Sequence, residues 1–132
     1  MKAKELMIGD YVCESGCSMQ PFKVACIDSG VVCLDNNDDS LMCFSENVFP
    51  IPLTDKILLG NGFIKIEKSD YIIYENSGKN VFIKEFPEFV EYSVMIDAHK
   101  DGCFVIEDNN VMYVHQLQNL LNLAGIEIEF KL

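Results

Sequence analysis

The run Tyr113-Val114-His115-Gln116-Leu117-Gln118-Asn119-Leu120-Leu121-Asn122-Leu123-Ala124-Gly125 decides the fold, because it is the chain's one long helical pattern. Leu117, Leu120, Leu121 and Ala124 recur at i, i+3, i+4 and i+7, one face of a 3.6-residue period, while Gln118, Asn119 and Asn122 face elsewhere. The pattern predicts a helix over 115–124 with Leu117, Leu120 and Leu121 buried and Gln118 and Asn122 more exposed. Gly125 is the expected stop: without a Cβ it takes the left-handed position after a helix and releases the chain into the tail Ile126–Phe130. Leu117, Leu120, Leu121 and Gly125 are therefore structural anchors, each buried leucine contributing about 1.5–3 kcal/mol.

Ahead of the helix the period falls to two. Phe63–Glu67, Tyr71–Glu75, Val81–Glu85, Tyr92–Ile96 and Cys103–Glu107 are β-branched and aromatic runs, separated by Lys68-Ser69-Asp70, Asn76-Ser77-Gly78, Pro87 and Asp101-Gly102. The connections are too short for helical crossovers, so an antiparallel meander is expected. Val111–Val114 adds a short strand leading into the helix. The second half reads as α+β, an antiparallel sheet with the C-terminal helix packed on it.

The one internal boundary is Pro52-Leu53-Thr54-Asp55, which also opens a helix near 54–61. Thr54 is suited to cap the first turn and Asp55 complements its dipole. Gly60-Asn61-Gly62 ends it, and with Gly62 in the left-handed position Phe63 should fold back on Leu58. Residues 1–52 form the first subdomain and 53–132 the second. In the first, short strands at Tyr11–Cys13, Phe22–Ile27, Val31–Leu34 and Leu41–Phe44 are separated by turn residues, with Asp28-Ser29-Gly30 suited to a tight hairpin. Val48-Phe49-Pro50-Ile51-Pro52 serves only as an edge, since each proline removes a ladder donor. This spacing predicts an SH3-like small β-barrel, and the chain as a whole is mainly β or α+β.

Nine Phe and five Tyr among 132 residues that are 49% apolar leave material for a core. Ten basic and twenty-one acidic residues give a net charge of −11, which repels phosphate and argues against nucleic-acid binding. No apolar leader follows Met1-Lys2-Ala3-Lys4-Glu5-Leu6, and no run approaches the ~20 apolar residues of a membrane span, so a cytoplasmic protein is expected. The six cysteines then read as reduced thiols.

Three stretches, Lys2–Val12, Pro50–Phe63 and Tyr113–Leu120, together resemble a family of short uncharacterised proteins from anaerobic gut bacteria, often encoded in mobile or prophage-like regions. The KAKELMIGDYV and YVHQLQNL motifs carry most of the likeness. The resemblance implies a complete small bacterial protein and no particular activity, and the cysteine-rich first half departs from it.

Candidate chemistry is sparse. Cys13 and Cys17 form one CxxxC without a second knuckle, while Cys26, Cys33 and Cys43 sit in apolar strand runs where burial is expected. Asp35, Asn37, Asp39 and Glu46 stand at positions 1, 3, 5 and 12 of a calcium-loop pattern, but Ser40 replaces its essential glycine and the flanks read as strands. Asp97, His99 and Asp101 place an imidazole between carboxylates, in a segment whose Asp-Gly is equally a hairpin signature. His115 heads the long helix, where a neutral ring is favoured. No phosphate-binding glycine loop, nucleophile elbow or metalloprotease helix is present, so no cofactor or catalytic set is assigned. The leading class is a non-catalytic interaction protein with a protein partner. A nucleic-acid module, an acidic mimic of nucleic acid that occupies a basic enzyme, and an enzyme are the alternatives. The oligomeric state stays open.

Overall fold

The computed structural model describes residues 1, 5–14, 20–36, 39–97 and 105–132. It is mainly β, with two antiparallel sheets and a C-terminal helix, and divides into compact units Met1–Pro52 and Leu53–Leu132.

The first unit holds β1 (Tyr11–Glu14), β2 (Phe22–Asp28), β3 (Val31–Asp35), β4 (Ser40–Phe44) and β5 (Val48–Pro50), with a 3-10 turn at Ser45–Asn47. They form one open sheet in the order β4-β3-β2-β1-β5. The β2–β3 turn is tight because Ser29 and Gly30 both accept positive φ, 48° and 84°. Proline-bearing β5 takes an edge, where a missing N–H costs least. Inward residues Val12, Phe22, Val24, Val32, Leu34 and Val48 join Leu6 in the core.

The pairing of β2 with β3 slips between Val24 and Cys26. One extra residue, Ala25, reverses the phase of the strand, so Cys26 points outward although Phe22 and Val24 point in. Cysteine burial is accordingly corrected: Cys26 is exposed, and Cys13, Cys33 and Cys43 are only half-buried. Cys26 and Cys33 oppose each other with Cα atoms 5.0 Å apart and their sulfurs joined as a disulfide, which also corrects the expectation of reduced thiols throughout.

The second unit begins with α1 (Asp55–Leu59) and continues through β6 (Ile64–Glu67), β7 (Ile72–Asn76), β8 (Val81–Glu85), β9 (Tyr92–Asp97) and β10 (Val105–Val111) to α2 (Val114–Leu123). Its sheet order, β10-β9-β8-β7-β6, is an uninterrupted meander. Thr54 Oγ1 accepts the Ile57 N–H at 3.3 Å, starting α1. At its end Gly62 has φ 88° and the Phe63 N–H donates to the Leu58 carbonyl at 3.2 Å, with both side chains buried.

α2 starts one residue earlier than its leucine pattern suggests. Gln116 Oε1 reaches back to accept the N–H groups of Met112 and Tyr113, at 2.7 and 3.1 Å, and so caps the helix. The buried stripe is Val114, Leu117 and Leu121, with His115 beside it and stacked on Tyr113; Leu120, expected to be buried, is only partly so. Gly125, φ 72°, closes the helix: its N–H donates to Asn122 and the Ile126 N–H to Leu121. Of the short strand expected at 111–114 only Val111 is in a strand, as the last residue of β10, which carries a bulge between Asp108 and Val111; Val114 already belongs to α2. Cross-strand register lines up Tyr74, Ile83 and Val94, then Val81 and Ile96, on one buried face.

Candidate functional site

The opposite face of the second sheet carries Ile66, Ile73, Lys84 and Ser93 in register across β6 to β9. At its Lys84–Ser93 end lies an open cavity of about 490 Å³, lined by Lys84, Phe86, Phe89, Glu91, Ser93, Asn109 and Asn110. Three local features build it. Alternation turns Lys84 and Ser93 away from buried Ile83 and Val94. The loop around Pro87 brings Phe86 and Phe89 edge to face at 6.2 Å and 82°. The β10 bulge presents Asn109, whose side-chain oxygen accepts the Ser93 hydroxyl at 2.7 Å.

Tyr71 continues the aromatic cluster 5.8 Å from Phe86, and the Lys84 ammonium lies over the Tyr71 ring at 5.2 Å. That cation–π contact ties the lysine head to a ring beside the cavity. Phe89, part of the lining, is 61% exposed, and the next residue in the chain, Val90, is 76% exposed. The cavity thus combines apolar walls with hydroxyl, amide, ammonium and carboxylate groups, the composition of a recognition site. It places no activated nucleophile beside a base.

A second polar cluster sits where the first turn of α1 meets the sheet. The Tyr74 hydroxyl lies 2.6 Å from Asp55 Oδ1 and 2.9 Å from Glu85 Oε2, so its single hydrogen serves two carboxylates. Lys65 Nζ binds Asp55 at 3.1 Å and approaches Glu67 at 3.8 Å. Burial, then the two carboxylates, push the Tyr74 phenol well above its ordinary range, and burial pushes Tyr92 up to about 12. The Tyr74 hydrogen bond, then the one from Lys65, hold Asp55 below its usual value, and the bond to Asp55 raises Lys65. Every one of these shifts moves a pKa further from 7, the reverse of what proton transfer at that pH requires. The cluster is a clamp between α1 and strands β6, β7 and β8.

Several of the residues singled out from sequence lie outside the described ones. Asp97 ends β9, while His99, Asp101 and Cys17 lie outside the described residues, as does Asn37 of the calcium pattern. Asp35 ends β3 and Asn36 and Asp39 close the next hairpin on each other, with the Asp39 N–H 2.6 Å from Asn36 Oδ1. Burial raises the Cys13 thiol, which points at the Phe49 carbonyl, and burial followed by the Glu14 charge raises Cys43; both changes disfavour the thiolate a metal needs. Among the described residues no group of three or more His, Cys, Asp or Glu side chains is placed to hold a metal, and no helix is long and apolar enough to cross a membrane. Sequence reading missed Lys84, Phe86, Phe89, Ser93 and Asn109 as a group. The available signal was the Asn109-Asn110 pair within a β-rich run, since asparagine is depleted in regular strands. Comparison with protein-family models, with curated proteins and with solved structures finds no match.

Proposed function

We infer that the protein is a non-catalytic interaction protein whose second unit receives a segment of a protein partner in the Lys84–Asn110 cavity. The observation that supports this most is the exposure of Phe89 and Val90 beside apolar walls that also carry Ser93, Asn109 and Asn110. An apolar side chain of the partner fits against Phe86 and Phe89, and the amides suit the backbone of an extended segment. Net charge −11 favours a partner of basic character. The clamp around Tyr74 supports a non-catalytic reading, since its protonation states are locked.

For the first unit we retain the SH3-like reading as part of the proposal. Its support is the β2–β3–β4 meander, the 3-10 turn between β4 and β5, and the pairing of β5 with β1. A cytoplasmic accessory role in a mobile element or prophage follows from the sequence resemblance and belongs to the same proposal. The nucleic-acid and acidic-mimic alternatives differ in their partner, and one experiment separates them. A photoreactive phenylalanine analogue at position 89 should crosslink a discrete protein in the native host. That protein, purified, should bind the parent chain and lose about tenfold or more of its affinity to Phe89→Ala. Crosslinks to nucleic acid, or to a basic enzyme whose binding ignores Phe89→Ala, would overturn the cavity reading.

A further inference from the structure

Cys26, Cys33 and Met42 stand directly opposite one another on three adjacent strands. Cys26 pairs with Cys33 across β2 and β3, and Cys33 pairs with Met42 across β3 and β4. All three belong to the outer face: Cys26 is exposed, Cys33 half-buried and Met42 71% exposed. The bulge at Ala25 creates this row, because strict alternation from Val24 would have turned Cys26 into the core. Bulges commonly re-aim a side chain in this way. Directly opposed Cβ atoms in an antiparallel sheet are about 4.5–5.5 Å apart, so three sulfurs on short or flexible stems can meet above the central strand. The next row on the same face sets Val31 opposite Phe44 on one side and opposite exposed Asp28 on the other, two apolar side chains and one carboxylate turned to solvent.

We propose that the reduced form of this row, two thiolates and one thioether, binds a single Cu(I) ion. The donor set decides the ion. Soft thiolate and thioether sulfur selects monovalent copper, and a neutral methionine suits a low-charge, low-coordination ion. Zinc would require a fourth donor of the His, Cys or carboxylate kind, and no such group converges on the row among the described residues. The net charge of −11 raises the local concentration of any cation. The disulfide is the oxidised, non-binding form. Its reduction takes two electrons and two protons from a dithiol reductant, which becomes a disulfide in turn. Binding then releases both thiol protons and forms two copper–thiolate bonds and one copper–thioether bond, with copper unchanged in oxidation state.

The test uses the full chain, reduced and held without oxygen, titrated with Cu(I) against a chromogenic Cu(I) chelator. One ion per chain should be retained. Cys26→Ser and Cys33→Ser should abolish retention, Met42→Leu should weaken it by about tenfold, and Cys13→Ser and Cys43→Ser should leave it unchanged. X-ray absorption of the copper-loaded parent, which needs no variant to fold, should show three sulfur neighbours. Failure to retain copper, retention indifferent to Cys26→Ser or Met42→Leu, dependence on Cys13 or Cys43 instead, or nitrogen and oxygen neighbours would each overturn the proposal.

Discussion

Two buried polar residues carry opposite lessons about charge. Asp10 is 2% exposed beneath the Met7–Asp10 turn, where its carboxylate accepts the Met7 N–H at 2.8 Å. Burial outweighs that bond and pushes its pKa up from 3.8 to about 6. The native state therefore holds the proton more tightly than the unfolded chain, so this group's contribution falls as pH rises from 3.8 to about 6. Asp10→Asn keeps an acceptor and discards the charge. It should be more stable than the parent at pH 7 by up to about 3 kcal/mol, with the gain vanishing below pH ~4; a denaturation series in which the gain is equal at both pH values would contradict this. Tyr74 works the other way, lending its proton to carboxylates that remain charged. Tyr74→Phe should cost about 1 kcal/mol rather than more, because water can replace the hydroxyl at Asp55, whose side chain is 46% exposed. The same change should let the Asp55 pKa rise toward its ordinary value, readable by carboxyl NMR. Since a lowered carboxylate pKa lends stability that is lost as pH falls through it, Tyr74→Phe should also flatten the acid limb of stability.

At the scale of the element, the cost of trimming a leucine on α2 should follow the observed stripe. Leu117 is fully buried and Leu120 only partly, so Leu117→Ala should cost about 2–5 kcal/mol and Leu120→Ala distinctly less. Asn122→Ala, on the exposed side, should be neutral or slightly favourable. Equal losses at Leu117 and Leu120 in chemical denaturation would show that the stripe is wrongly drawn. The elements themselves were legible because their punctuation is local: Thr54 caps, Gly62 and Gly125 take positive φ, and the short turns admit only a meander. Phase was not legible. A one-residue bulge at Ala25 leaves composition untouched yet turns Cys26 to the opposite face, and the bulge near Asn109 likewise sets which amides reach the cavity. Nor does the leucine spacing reveal Gln116 as the cap at the start of α2, which lies at Val114. The cavity escaped the sequence for the same reason, since Lys84, Phe86, Ser93 and Asn109 meet only through cross-strand register.

Across the whole molecule, the decisive quantity is the charge of −11 and the way its few cations are used. A nucleic-acid surface gains affinity by releasing counterions from phosphates, about one per lysine or arginine that makes contact, and it needs those groups side by side and free to reach. Here Lys23 lies over Tyr11 at 5.2 Å, Lys84 over Tyr71 at 5.2 Å, and Lys65 is bonded to Asp55. Each is engaged with its own neighbour, on a separate strand, within a surplus of carboxylates. Extended contact with a duplex would bring like charges together along most of its length. The chain should therefore show no binding to duplex DNA or RNA at physiological salt, and dilution of the salt should not rescue it. Fluorescence anisotropy with a labelled duplex, read from ~20 to ~150 mM salt, over which the Debye length shrinks from roughly 20 to about 8 Å, is the direct measurement. Micromolar binding that weakens steeply with added salt would mean that a cation cluster outside these engaged lysines dominates the surface field.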